Sequence, residues 1–149
     1  MLARTTAGAC LAYGVILAYH SENFLTAVTL FMRAVIPVAG VGSRLRPHTF
    51  TLPKVLLNVA GKPMLGHILD TVIGAGVTEA TFVVGHMSDL IRQFVRTAYP
   101  DLRADFVEQE EQQGLGHAIY VARASLSEEP VLIILGDTIF DVDLAPVLR

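Results

Sequence analysis

Two short apolar runs, each ending in glycine, constrain this chain most. Ala34-Val35-Ile36-Pro37-Val38 leads into Ala39-Gly40-Val41-Gly42-Ser43-Arg44, and Val131-Leu132-Ile133-Ile134-Leu135 leads into Gly136-Asp137. A strand with one wet face alternates apolar and polar residues. An unbroken apolar run is instead buried on both faces, as the inner strands of a parallel sheet are. The residues between the two runs switch period repeatedly. Leu65, Ile68, Leu69, Val72 and Ile73 recur at helical spacing, with Pro63 suited to the first helical position and Gly74 and Gly76 to the end. Ala80 to Val84 reads as a second strand. Ser88 can cap a helix carrying Leu90, Ile91, Phe94 and Val95, Leu102 to Val107 alternates like a strand, and Leu115 to Ala124 reads as a further helix. From Met32 onward strand and helix therefore alternate. That pattern predicts an α/β, Rossmann-like domain: a mostly parallel sheet with flanking helices and right-handed crossovers. Ligands of such sheets bind beyond the carboxyl ends of the strands, so the glycine loop and Gly136-Asp137 are the chemically marked positions.

Gly40-x-Gly42 lets the backbone turn tightly, and its successive N–H groups can form a nest for an anion, with Arg44 able to clamp phosphate oxygens. Two familiar phosphate motifs are excluded. The P-loop needs a second glycine where Leu45 stands, and Gly61-Lys62 is followed by Pro63 in place of Ser or Thr. The dinucleotide fingerprint needs a third glycine at that same position and an acid further on, where the chain reads Val59-Ala60-Gly61-Lys62.

The 149 residues suit a single domain, and a net charge of −3 argues against nucleic acid as the main partner. Charge is unevenly placed. No acid lies between Glu22 and Asp70, a stretch holding Arg33, Arg44, Arg46, Lys54 and Lys62, whereas acids outnumber bases from Asp101 onward. A basic segment before an acidic one suits an anionic ligand near the first and a cation near the second. Cys10 is the single cysteine, so no internal disulfide forms, which suits a reducing cytoplasm. Residues 1–31 differ in character. The uncharged run from Thr5 to Ser21 is short and glycine-interrupted for a membrane span, and it only weakly resembles a secretory or lipoprotein signal. We expect residues 1–31 to be a non-native or misassigned extension, with the domain at 32–149 and no membrane partner.

Taken in order, Gly40-Val41-Gly42-Ser43-Arg44-Leu45-Arg46-Pro47-His48-Thr49, Leu52-Pro53-Lys54-Val55-Leu56-Leu57, Gly61-Lys62-Pro63-Met64, Gln109, Gly114-Leu115-Gly116-His117-Ala118 and Leu135-Gly136-Asp137-Thr138 resemble the signature of the sugar-1-phosphate nucleotidyltransferases. The resemblance runs from Met32 to the end. It implies the nucleotide-diphospho-sugar transferase fold and transfer of a nucleotidyl group from dTTP or UTP to a sugar-1-phosphate, with glucose-1-phosphate thymidylyltransferase the first expectation and the uridylyltransferase the alternative. It further implies that Ala39, Gly40, Val41, Gly42 and Ser43 wrap the nucleotide phosphates, that Arg44 neutralises the leaving pyrophosphate, and that Lys54 bridges the α-phosphate and the sugar phosphate. Gln109 and Gly114 would read the base, and Asp137 would hold Mg²⁺. A glutamine amide offers both a donor and an acceptor to a pyrimidine edge. The family's domain is roughly twice the length present after Met32, a size still normal for one α/β domain. The chain is thus expected to be the N-terminal, nucleotide-binding half, truncated C-terminally, of an enzyme that is homo-oligomeric at full length. A half-sheet would also leave an unpaired strand edge. A non-catalytic nucleotide-binding module is the alternative. The histidines show no metal-ligand spacing, although His48 and His117 lie beside the expected pocket.

Overall fold

The computed structural model describes residues 32–126, 128 and 130–144, together with the backbone of 8–12 and 15–19. The remainder of the 1–31 stretch lies outside the described residues. Four neighbouring parallel strands make up most of a six-stranded sheet: β3 (Arg33–Pro37), β6 (Glu79–Val84), β7 (Arg103–Glu108), which lies at one edge, and β8 (Val131–Ile134). Before them, β1 (Gly8–Ala12) and β2 (Val15–Tyr19) form an antiparallel hairpin. The sheet order is β1-β2-β8-β3-β6-β7, with β2 antiparallel to β8. β2 thereby pairs along one side of β8, a pairing that the uncharged run from Thr5 to Ser21 did not reveal.

Alternation within the inner strands builds two cores. Ala34 and Ile36 of β3, Ala80, Phe82 and Val84 of β6, and Leu132 and Ile134 of β8 face one side. They pack there against Leu65, Ile68, Leu69 and Val72 of α1 (Met64–Gly74) and Ile91 and Val95 of α2 (Ser88–Ala98). Val35, Val83, Val131 and Ile133 face the other side, where Ala118 and Ala122 of α3 (Leu115–Ala122) cover them. Both sides are dry, which is why the β3 and β8 segments are apolar without interruption.

Local chemistry explains the element ends. Gly76, at φ +95°, turns the chain out of α1 while its N–H donates to the Ile73 carbonyl at 2.9 Å. Pro63 precedes α1 and pairs, as part of β5 (Lys62–Pro63), with β4 (Asn58–Val59); it is not the first helical residue. Ser88 is likewise the first residue of α2 and not its cap; Met87 occupies the cap position at φ 61° without a side-chain hydrogen bond. α3 ends at Ala122, and a 3-10 turn over Arg123–Ser125 follows.

At the amino-terminal end of the sheet, Arg33 bonds Glu79 at 2.6 Å and Thr81 at 3.1 Å and also pairs with Asp105, while Arg103 reaches Glu79 at 2.5 Å. Burial lowers the affinity of the Arg33 guanidinium for its proton, but the hydrogen bonds and charges of Asp105 and Glu79 outweigh that and hold it above its ordinary value. This network fixes the strand starts, at the end of the sheet opposite the glycine loop. The chain runs from β3 outward to β6 and β7, then returns to place β8 on the other side of β3. The switch in direction falls between β3 and β8, where sheets of this kind open a crevice.

Candidate active site

Three strand exits meet at that crevice. After β3, Pro37-Val38-Ala39 runs between the exits of β6 and β8. A Cβ on Gly85, just after β6, would lie 3.0 Å from the Ala39 carbonyl oxygen, and one on Gly136, just after β8, would lie 2.8 Å from the Pro37 carbonyl oxygen and press on Val38. These two glycines let the exits close up, a role invisible in a sequence where each reads as an ordinary turn residue.

Gly42 is left-handed, at φ 65° and ψ 33°, and begins the 3-10 turn Ser43–Leu45. A Cβ there would sit 3.0 Å from Lys54 Cβ and 3.1 Å from the Thr49 methyl, so close approach as well as backbone conformation requires glycine. The buried Thr49 hydroxyl donates to the Gly42 carbonyl at 2.9 Å and pins the turn. Among the described residues the N–H groups of Gly40, Val41, Gly42 and Ser43 donate to no acceptor. Such a row of unengaged amides is what an anion-binding nest requires. Arg44 is exposed in the same turn and makes no ion pair among the described residues.

Lys54 opens another 3-10 turn, Lys54–Leu56, anchored by the buried side chains of Val55 and Leu56. Its ammonium crosses the crevice and meets the Asp137 carboxylate at 2.7 Å. Residues separated by most of the domain are thereby joined at the switch point. Gln109, at the end of β7, is buried; its N–H donates to the Val84 carbonyl at 2.8 Å and its side-chain amide to the Gly114 carbonyl at 3.3 Å. Gly114, at φ 90°, precedes the first residue of α3. The neighbouring Gln112 amide donates to the Ala39 carbonyl at 2.8 Å and ties this segment to the glycine loop.

The structure thus brings Gly42, Lys54 and Asp137 into one cluster and sets Gln109 and Gly114 together beside it. Thr49, which closes the Gly40–Thr49 motif, completes the frame together with Gly85 and Gln112, whose only signal is a tertiary contact. His67 Nε2 lies 2.8 Å from the Val59 carbonyl, away from the crevice. Among the described residues no cluster of three or more His, Cys, Asp or Glu side chains could hold a metal, and no helix is long and apolar enough to cross a membrane.

A doubly wound α/β fold with a glycine loop and an Asp-tipped strand at its switch point defines a nucleotide-binding class of domain. Residues 33–149 match the family described as nucleotidyl transferase, and the chain belongs to that family. It is 36% identical over 118 residues to the UTP–glucose-1-phosphate uridylyltransferase AglF of Haloferax volcanii, an alignment spanning 79% of this chain and 48% of the relative. It is 46% identical over 106 residues to the bifunctional protein GlmU of Pseudomonas paraeruginosa, spanning 71% of this chain and 22% of that one. A crystal structure of UDP-glucose pyrophosphorylase complexed with UDP-glucose superposes with a TM-score of 0.70 at 25% identity, over 78% of this chain and 51% of that chain. The chain spans about half the length of AglF. The expected fold is therefore present. A putative glucose-1-phosphate thymidylyltransferase from Bacillus anthracis superposes with a TM-score of 0.72 at 27% identity, over 78% of this chain and 48% of that chain, so the uridine reading fits the relatives at least as well as the thymidine one.

Proposed function

We propose that residues 32–149 are the nucleotide-binding half of an enzyme that joins UTP to glucose-1-phosphate, giving UDP-glucose and pyrophosphate. The observation that carries this reading is the Lys54–Asp137 contact at 2.7 Å beside the unengaged amides of the glycine loop. A cation and an anion facing each other across a nest of N–H groups is an arrangement that a polyphosphate can enter. The relatives whose names specify UTP favour uracil over thymine. dTTP is the second reading, favoured by the likeness to the solved putative glucose-1-phosphate thymidylyltransferase.

In this reaction a phosphate oxygen of the sugar-1-phosphate attacks the α-phosphorus. The bond from that phosphorus to the bridging oxygen breaks, and pyrophosphate leaves with the electron pair. No proton needs an intervening base, so the protein's task is positioning and charge stabilisation. The amides of Gly40 to Ser43 hold the triphosphate, and the exposed Arg44 faces the charge that develops on the leaving group. Lys54, a compact charge with three donors, leaves Asp137 to bridge the α-phosphate and the incoming phosphate, two anions that otherwise repel. Gln109 and Gly114 read the base. Asp137 would hold Mg²⁺. An exposed carboxylate at a strand exit suits a hard cation that takes one or two carboxylates and completes its shell with phosphates and water. When bound, Mg²⁺ supplies charge neutralisation at the phosphates. The triphosphate substrate favours a cytoplasmic site of action.

The test is calorimetry with UTP and Mg²⁺, followed by phosphorus NMR after glucose-1-phosphate is added. Binding of UTP that Lys54→Ala weakens supports the reading. A chain that binds no nucleoside triphosphate contradicts it.

A further inference from the structure

Gln109 reads the base in the function proposed for this site, and any role for its neighbour His117 rests on that reading. Gln109 is only 6% exposed. Its amide nitrogen lies 3.3 Å from the Gly114 carbonyl oxygen and 3.1 Å from His117 Nδ1. A backbone carbonyl can only accept, so the group facing it must be the NH₂; a flipped amide would set two carbonyl oxygens against each other. Both amide protons are then committed. It follows that His117 presents a lone pair at Nδ1 and carries its proton on Nε2.

The Gln109 carbonyl oxygen, Oε1, is left over. It accepts no hydrogen bond among the described residues, and no fully buried side-chain nitrogen or oxygen there lacks a partner, so this oxygen opens to solvent. Gln109 therefore does not offer the base a donor and an acceptor, as the amide alone suggests; it offers an acceptor only.

We propose that His117 is a positioning residue for nucleotide selection, locking the Gln109 amide so that its carbonyl oxygen reads an imino N–H on the base. Uracil and thymine carry that N–H at N3. Cytosine presents a lone pair at the same place, and two facing acceptors repel. His117 acts without touching the nucleotide. The anchor is firm, because the Gly114 carbonyl also accepts the Ala118 N–H at 3.1 Å, which ties amide, glycine and the first turn of α3 into one unit. Without the histidine lone pair, one amide proton loses its partner and the amide is freer to turn over.

The experiment measures dissociation constants for UTP and CTP by calorimetry on the whole chain and on three variants. The unaltered chain is expected to prefer UTP by about tenfold or more, the scale of one buried hydrogen bond matched against mismatched. His117→Leu should reduce the preference below about threefold, and His117→Asn, which again places an acceptor near the amide, should restore most of it. Gln109→Ala should abolish it. A His117→Leu chain that still discriminates while Gln109→Ala does not overturns the proposal and leaves base reading by Gln109 intact. No discrimination in the unaltered chain, or its persistence in Gln109→Ala, removes the base-reading role and the proposal with it. Nitrogen NMR of the unaltered chain gives a check that needs no variant: an unprotonated Nδ1 and a protonated Nε2 are expected at His117, and the opposite tautomer overturns the proposal.

Discussion

Gly136→Ala tests whether the strand exits are as tightly closed as the site requires. The added Cβ would stand 2.8 Å from the Pro37 carbonyl oxygen and against the Val38 side chain. Val38 can rotate, but the Pro37 carbonyl belongs to β3 and also accepts the Gly136 N–H at 3.3 Å. The methyl must therefore push the β8 exit away from β3. Overpacking of this kind costs about 1–3 kcal/mol, and a rigid backbone partner places it in the upper part of that range. For a chain of this size, about 2 kcal/mol lowers the melting temperature by ~4–8 °C. Two internal standards accompany it. Gly85→Ala meets the Ala39 carbonyl oxygen at 3.0 Å and should cost less. Gly74→Ala, in the last turn of α1 with nothing within 4 Å, should be neutral or stabilising by up to about 1 kcal/mol, since alanine is the better helix former. Urea unfolding of the three variants gives the ranking. Gly136→Ala within about 0.5 kcal/mol of the unaltered chain would refute the claim of close contact, because surface changes without such contacts fall in that range.

Further consequences are open to direct measurement. Lys54→Ala should lower product formation by about 10²–10³ in an active full-length enzyme, as loss of a transition-state contact does; an unchanged rate in a pyrophosphate-release assay removes the bridging role. Phe82→Ala should cost about 3–5 kcal/mol in urea unfolding, because the ring is fully buried and stacks on Phe106 at 5.2 Å between centroids. Tyr99→Phe should cost about 1 kcal/mol, since the hydroxyl bonds the Gly66 carbonyl and Asp70 at 2.9 Å each. Burial raises the Tyr99 phenol above its unfolded value of 10.0, so its contribution is complete below that pH and is lost as pH rises through the folded value. Melting temperatures of the two chains should accordingly converge at high pH.

Period and punctuation carried most of the fold in the sequence. The inner strands, the three helices and the alternation that orders them are all marked by apolar residues spaced to suit burial on one face or two. What escaped was decided by contacts between distant segments. The β4–β5 hairpin is two residues a side and has no period. Met87 occupies a helix cap that Ser88 was suited to fill, because the turn after Gly85 sets the backbone there. β2 reached β8 through apolar residues that equally well suggested a signal or an extension. At the site, Lys54 and Asp137 were marked by family wording, and the structure adds that they pair. Gly85, Gly136 and Gln112 matter through atoms they approach across the chain, which no local pattern encodes. Gln109 is marked as a candidate base reader by family wording alone, and its single free acceptor becomes visible only when Gly114 and His117 are in place around it.

Amide chemical shifts on titration with UTP and Mg²⁺ test the central claim most directly. If the triphosphate enters the crevice between β3 and β8, the largest changes fall on Gly40 to Ser43, Lys54, Gln109, Gly114 and Asp137, while Arg33, Glu79 and Arg103 at the far end of the sheet stay still. Changes centred on that far end, or none at all at saturating UTP, would contradict it.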